Sequence, residues 1–178
     1  VSRLTEPMPV KPVAALFAAD AENLARAARA LEERLGPIDY ISRPFRFDQT
    51  VYYEPEMGGP LVKRFLSAER LMDPADLVDL KVFTIQLEAD FSQADRRRVN
   101  IDPGYVSPER LVLATGKNYL HRIYLGRGVY ADLTLIFDKG DFKPLAWTYP
   151  DYASPEVRAV MASIRERLLE QLRNRRQP

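Results

Sequence analysis

"HRIYLGRGVYADLTLIF", residues 121–137, decides the fold. Apolar residues alternate on both sides of Gly126-Arg127-Gly128, the pattern of a β-hairpin. Side chains alternate across a strand, so loop length fixes which residues face each other. Ile123, Leu125, Val129, Ala131, Leu133, Leu135 and Phe137 share one apolar face only if the loop is odd in length. A three-residue loop, Gly126–Gly128, satisfies this and offers glycine for the left-handed position of a bulge. The resulting register sets Leu125 opposite Val129, Ile123 opposite Ala131, Tyr124 opposite Tyr130 and Arg122 opposite Asp132. As an exposed cross-strand ion pair, Arg122–Asp132 is worth roughly 0.2–1 kcal/mol. His121 falls on the apolar side, opposite Leu133, where it is either a half-buried histidine held by a carbonyl or a catalytic group.

Toward the N-terminus, residues 1–12 hold three prolines and read as an irregular arm. "VAALFAA" (13–19) is a buried strand, and Asp20 caps a helix carrying Leu24, Ala28, Leu31 and Leu35 that Gly36-Pro37 stops. Residues 38–47 have period two, and Pro44 puts them at an edge or a bulge. "PLVKRFL" (60–66) is a further strand, and Asp73-Pro74 opens a helix with the stripe Leu77, Leu80, Thr84, Leu87 and Phe91. "RRRVNIDPGY" (96–105) reads as a strand ending in a Pro-Gly turn, and "RLVLAT" (110–115) as another strand. Ser154-Pro155-Glu156 starts a C-terminal helix over 155–175, with Val157, Met161, Ile164, Leu168 and Leu172 inward. The sum is one α+β domain over 1–178: a mainly antiparallel mixed sheet covered by helices, its first half compatible with a ferredoxin-like arrangement. The expected core contains Ile123, Leu133, Leu135, Leu80, Leu87, Ile164 and Leu168.

Composition narrows function. The 178 residues include no cysteine, which excludes disulfides and thiolate metal sites and suits a reducing, cytoplasmic compartment. A single histidine excludes sites in one chain that need two imidazoles. With 26 basic against 25 acidic residues, a generally basic nucleic-acid binder is disfavoured. No apolar run is long enough for a membrane helix, and a signal-peptide pattern is lacking at the start.

Polar chemistry concentrates in four stretches. In "FDQTVYYEPEMGG" (47–59), continued alternation puts Asp48, Thr50, Tyr52, Glu54 and Glu56 on one face with Arg46. That face is either a charged, solvated edge or the wall of a site. Asp48, Glu54 and Glu56 offer oxygen ligands to a hard cation such as Mg²⁺. Asp48 and Glu56, with His121, are the candidate catalytic groups. "NIDPGY" adds Asn100 and Asp102, "KNYLHRIYL" adds Lys117 and Arg122, and "WTYPDY" adds Asp151. With Thr50 and Tyr52 these form the candidate ligand-binding set, in which Lys117 and Arg122 suit a phosphate or carboxylate. "ATGKN" is no P-loop, because Leu111 stands where its first glycine belongs and Asn118 where Ser or Thr belongs.

Together "FDQTVYYEPEMG", "RRVNIDPGY", "KNYLHRIYLGRGVYADLTL" and "WTYPDY", with "EPMPVKPV" at the start, resemble the prokaryotic domain of unknown function 4416 family over nearly the whole chain. The resemblance implies no activity. Some relatives carry a GTP-binding label, but neither a P-loop nor N-K-x-D stands in this sequence. The expectation is therefore a binding site for a small anionic or nucleotide-like ligand, with metal-assisted catalysis open. The alternatives are an interaction or assembly protein without chemistry, and an RNA-binding module built on Arg96, Arg97 and Arg98.

Overall fold

The structure is a computed structural model describing residues 1–47, 57, 60–92 and 96–175. Among the described residues nine strands form one sheet: β1 (Lys11–Ala18), β2 (Ile38–Ile41), β3 (Phe45–Phe47), β4 (Leu61–Ala68), β5 (Val99–Val106), β6 (Arg110–Thr115), β7 (Arg122–Gly126), β8 (Val129–Asp138) and β9 (Asp141–Pro144). Among the described residues the helices include α1 (Ala21–Leu35), α2 (Leu77–Asp90), α3 (Pro150–Ala153) and α4 (Pro155–Arg175). The order across the sheet is β2-β4-β1-β5-β6-β8-β7, with β3 against β4 and β9 against β8. Every strand pairing among the described residues is antiparallel. The fold is α+β. With β3 set aside as an added edge segment on β4, the described elements of residues 11–106 run strand–helix–strand–strand–helix–strand, with the sheet order β2-β4-β1-β5, the split βαβ arrangement of a ferredoxin-like half.

Local chemistry explains the helix ends. Asp20 Oδ1 accepts from the Asn23 N–H at 2.7 Å at the start of α1, and Gly36, at φ 90°, ends it. Asp73 Oδ1 accepts from the Ala75 N–H at 2.8 Å, opening a 3₁₀ turn over Pro74–Asp76 that runs into α2.

The sheet is a middle layer. On one face α1 and α2 bury Leu24, Ala27, Leu31 and Leu80 against Ala14, Leu16 and Ile101. On the other, α4 buries Val157, Met161, Ile164 and Leu168 against Val13, Ala15, Leu111 and Leu135. Lys11 fastens α4 to this layer: fully buried, its Nζ donates to Asp39 Oδ2 at 2.6 Å, Ala68 O at 3.0 Å and Gln171 Oε1 at 2.9 Å. None of the described helices is long and apolar enough to cross a membrane.

Several expectations are corrected. The arm is shorter than 1–12, because Val10 already bridges Met72 and β1 begins at Lys11. The strand expected over 38–47 is two, β2 and β3, separated at Ser42–Pro44, and both lie at the sheet edge on β4. Pro103-Gly104 is no turn but lies inside β5.

The hairpin pairs Arg122 with Asp132, Ile123 with Ala131 and Tyr124 with Tyr130 as expected, but Gly126, not Leu125, faces Val129. Leu125 is the extra residue of a bulge, and the loop is two residues, Arg127 (φ 53°) and Gly128 (φ 78°). Both φ values are positive, as a type I′ hairpin turn requires. The bulge supplies the odd residue that the alternation demanded of the loop.

A second bulge matters more. Leu111 pairs with Leu135 but Val112 with Leu133, so Thr134 is extra. It flips the strand: Leu135 packs under α4, whereas Leu133 and Ala131 join the α2 side. Ile123, opposite Ala131, therefore does not reach the α4 core and is 70% exposed. Arg122 and Asp132 are turned the other way, Asp132 buried and Arg122 half-buried, so their ion pair is not the exposed one expected.

Candidate functional site

β5 pairs with β1 along its whole length but with β6 only through Gly104–Leu113, Tyr105–Val112 and Val106–Leu111. Beyond Gly104 the two strands part like a fork, and the sequence contains the reason. A Cβ at Gly104 would lie 2.3 Å from Val112 O, so only glycine lets β6 close onto β5 there. Pro103 has no N–H to offer a neighbouring strand, so the ladder loses a donor where it ends. Ile101, two residues further and on the same edge, finds its partners on α2. Its N–H donates to Glu88 Oε1 at 2.6 Å and its carbonyl accepts from Lys81 Nζ at 3.4 Å. Two helix side chains thus take the place of the missing strand.

A cavity of about 520 Å³ occupies the fork, a volume that suits a small-molecule ligand. Asn100, Asp102, Lys117, Arg122 and Asp151 all line it, so five predicted residues from three distant stretches meet there. Asn100 and Asp102, two apart on β5, present to the same face.

The opposite wall is built on the Thr134 bulge. Trp147 Nε1 donates to Leu133 O at 2.8 Å and Thr148 Oγ1 to Thr134 O at 2.6 Å. These contacts anchor "WTYPDY" to β8 and bring Tyr149, Asp151 and Tyr152 to the cavity. Arg122 locks the same wall: Nε donates to Asp132 Oδ2 at 2.8 Å, Nη1 to Lys117 O at 3.0 Å and Nη2 to the Tyr149 hydroxyl at 2.9 Å. Burial alone would lower its pKa, but the hydrogen bond it donates to Asp132 and the pull of Tyr149 leave it raised. With its guanidinium committed to three partners, Arg122 positions the wall.

His121 does not line the cavity. Its Nε2 lies 3.2 Å from Asp132 Oδ2, and its ring stacks on Trp147 at 5.0 Å between centroids, with Tyr119 edge-on. It is neither on an apolar face nor held by a carbonyl; it stands behind Asp132, which does line the cavity.

The electrostatics are those of paired charges brought out of water. Among the described residues, ion pairs at the cavity include Lys63–Asp151 at 2.5 Å, Arg97–Glu88 at 3.7 Å and Arg122–Asp132 at 2.8 Å, and Asp102 takes part in no ion pair with a described residue. Burial raises the Glu88 pKa, against the opposing effects of the Ile101 N–H, Lys81 and Arg97. Burial, then the charges of Asp102, Asp151 and Asp132, raise Tyr152 well above the ordinary phenol value. Arg97 lines the cavity, and its Nη1 donates to Asn100 Oδ1 at 2.7 Å. Two buried polar atoms on residues that line the cavity, Asn100 Nδ2 and the Tyr152 hydroxyl, have no hydrogen-bond partner among the described residues.

Asp48, Thr50, Tyr52, Glu54 and Glu56 lie outside the described residues, and with them the expected Mg²⁺ ligands. Among the described residues no group of three or more His, Asp or Glu is placed to hold a metal. Sequence reasoning missed Lys63, Lys81, Glu88 and Asp132, which also line the cavity. The signal for two was present: Lys81 and Glu88, seven apart, fall on the inner face of α2 with Leu77 and Thr84.

A family model described as "Domain of unknown function (DUF4416)" matches residues 8–168. Comparison with curated proteins and with solved structures gives no match. The chain belongs to the DUF4416 family.

Proposed function

We propose that this member of the DUF4416 family binds a small polar ligand with an anionic end in the β5–β6 fork. The observation that carries the reading is the pair of buried, unpartnered polar atoms on the cavity wall, Asn100 Nδ2 and the Tyr152 hydroxyl. Leaving such atoms unsatisfied costs about 1–3 kcal/mol each, a cost that a bound ligand removes. Lys117, exposed at the cavity, supplies a cation for the anionic end. A chain without cysteine suits the cytoplasm, where such a ligand would be met.

Gly116 provides the test. It lines the cavity, and a Cβ added there would meet nothing within 4 Å. Gly116→Trp therefore plugs the entrance at little folding cost. In a thermal-shift screen of phosphate, small carboxylates, sugar phosphates and nucleotides, compounds that stabilise the native chain should lose their effect in Gly116→Trp. Equal shifts in both proteins would place binding elsewhere.

A second reading, an assembly protein, is favoured by the β7 edge. Leu120 (84%), Ile123 (70%), Tyr124 (60%) and Leu125 (42%) are exposed together at the terminal strand of the sheet. Light scattering decides it: a concentration-dependent dimer abolished by Ile123→Lys supports the reading, and a monomer at every concentration removes it.

A further inference from the structure

Resting on that pocket reading, we propose that the ligand is a free α-amino acid. Its ammonium is held by Asp102 and Tyr152, and its carboxylate by Lys81 and Asn100.

The argument is one of matched charge. Where β6 has parted from β5, side chains from β5 and from α2 meet in one cavity. Asp102 brings a carboxylate that takes part in no ion pair with a described residue. Lys81, 8% exposed, brings an ammonium whose Nζ has, among the described residues, one long hydrogen bond, 3.4 Å to Ile101 O. An ammonium carries three donors, and one distant carbonyl leaves most of a buried positive charge unanswered. The two charges are neighbours. Lys81 reaches the carbonyl of the residue before Asp102, and, besides burial, both groups act on the Glu88 carboxyl, in opposite directions.

Neutral groups flank them. Asn100 is held in one orientation, because its Oδ1 accepts from Arg97 Nη1; its Nδ2, which can only donate, has no partner among the described residues. Asn100 and Asp102 present to one face of β5, about 7 Å apart along the strand. Tyr152 is 3% exposed, and its hydroxyl has no partner among the described residues. Besides its burial, the charges of Asp102, Asp151 and Asp132 act on it. Such surroundings draw a positive group, and the phenol oxygen can accept from it.

Other ligand classes leave part of this set unanswered. A phosphate or a simple carboxylate suits Lys81 and Asn100 but brings nothing positive to Asp102. An amine or a metal ion suits Asp102 and Tyr152 but gives Lys81 and Asn100 Nδ2 nothing to donate to. A sugar hydroxyl bonds to Asp102 and Asn100 but brings no negative charge to Lys81. Opposite charges carried on one carbon serve all four groups. A zwitterion also adds no net charge beside Glu88, Asp132 and Asp151, whose carboxylates already stand against Arg97, Arg122 and Lys63. The cavity of about 520 Å³ has room for the ligand's side chain beside Ile85, Leu113 and Ala114.

Calorimetry on the full chain tests this with the twenty protein amino acids as probes. At least one should bind, and two analogues of the tightest binder then remove its charges singly. The des-amino acid lacks the ammonium, and the primary amide lacks the carboxylate. Each should bind about tenfold or more weakly, the worth of a hydrogen bond to a charged group. The variants should mirror the analogues. Asp102→Asn should weaken the amino acid by about tenfold or more and erase its advantage over the des-amino acid. Lys81→Gln should weaken it likewise and erase its advantage over the amide. Thermal melts confirm that both variants are folded, and the analogues on the native chain decide if Lys81→Gln is not. Either analogue binding as tightly as the amino acid would overturn the proposal. So would unchanged affinity in both variants, or no binding by any of the twenty. Small carboxylates or phosphate that bind the native chain but not Gly116→Trp, with no amino acid bound, would leave the pocket reading standing and remove this one alone. Amino-acid binding unchanged in Gly116→Trp would remove both.

Discussion

Gly104→Ala tests whether the fork is built as described. The added Cβ would lie 2.3 Å from Val112 O and 2.8 Å from Leu113 Cδ2. A carbon and a carbonyl oxygen rest about 3.3–3.6 Å apart even in close strand contacts, so β6 must retreat by about 1 Å. Leu113 Cδ2 can rotate away; the Val112 carbonyl belongs to the backbone and cannot do so without disturbing the three residue pairs that join β5 to β6. Overpacking of this kind costs about 1–3 kcal/mol, and a backbone obstacle belongs at the upper end. For a chain of this size that lowers Tm by about 6–12 °C at 2–4 °C per kcal/mol. The sign makes the test severe. An ordinary glycine in a strand gains about 0.4–1 kcal/mol on replacement by alanine, because the unfolded chain loses freedom. Differential scanning calorimetry therefore separates the two cases by direction. A Tm equal to or above that of the native chain would refute the account of why the strands part at residue 104.

Three further outcomes follow from the structure. Burial raises the pKa of Glu88 in the folded chain above its ordinary value of 4.5, so charged Glu88 costs stability as pH rises through the folded pKa. Glu88→Gln should raise Tm at pH 7, with the gain shrinking as the pH falls toward the ordinary carboxylate range and Glu88 itself becomes neutral; a gain that grows on acidification contradicts the sign. Asp39→Ala strands the fully buried Lys11 ammonium and should cost about 3–5 kcal/mol in a urea titration. Lys11→Met should cost less, since Asp39, with a side chain 19% exposed, is left facing water; equal costs would contradict this. Finally, Leu135→Ala should lose about 2–5 kcal/mol, whereas Ile123→Lys, at an exposed position, should stay within about 0.5 kcal/mol. A large loss at Ile123 would restore the uninterrupted apolar face that the Thr134 bulge breaks.

The layers were legible because their signals are local. Asp20, Asp73 and Gly36 cap the helices they announce, and Leu24, Leu31, Ile164 and Leu168 recur at the period of the face they bury. The bulges were not legible, because nothing in "YADLTLIF" distinguishes an alternating strand from one that changes face at Thr134. Only the pairing with β6, and the carbonyls that Trp147 and Thr148 capture, reveal it. The same limit applies to the site. Asn100, Asp102, Lys117, Arg122 and Asp151 stood out by chemistry, yet their convergence depends on the parting of two strands. Pro103-Gly104 carried that information, but as a dipeptide it reads first as a turn. Lys81 and Glu88 were passed over for a related reason: a charged residue on the inner face of a helix registers as noise in an apolar stripe until the backbone group it satisfies is known.

The costs of this fold collect in one place. A single sheet between helices could pair β5 with β6 from end to end. Here the ladder stops at a proline, a glycine is required where it stops, and a buried glutamate stands in for a strand against its own tendency to lose charge. Beside them an amide and a phenol are buried without partners among the described residues. The buried glutamate and the unpartnered amide and phenol each oppose stability, and elsewhere the core is conventional, with Leu111, Leu135, Ile164 and Leu168 fully buried. On the proposed reading these features belong together, since a binding site holds polar groups ready and unsatisfied. The argument ranks the residues as well. Asn100, Asp102 and Tyr152 leave bonding capacity open, so their replacement should be felt in binding, whereas Arg122 is committed to three protein partners and its replacement should be felt first in the order of the wall. Arg122→Lys keeps the charge but replaces a planar fork with a single ammonium that cannot span Asp132, the Lys117 carbonyl and Tyr149. It should therefore lower Tm and increase amide exchange in residues 117 and 149 without ligand present. Native exchange and Tm in that variant would move Arg122 from the scaffold to the ligand.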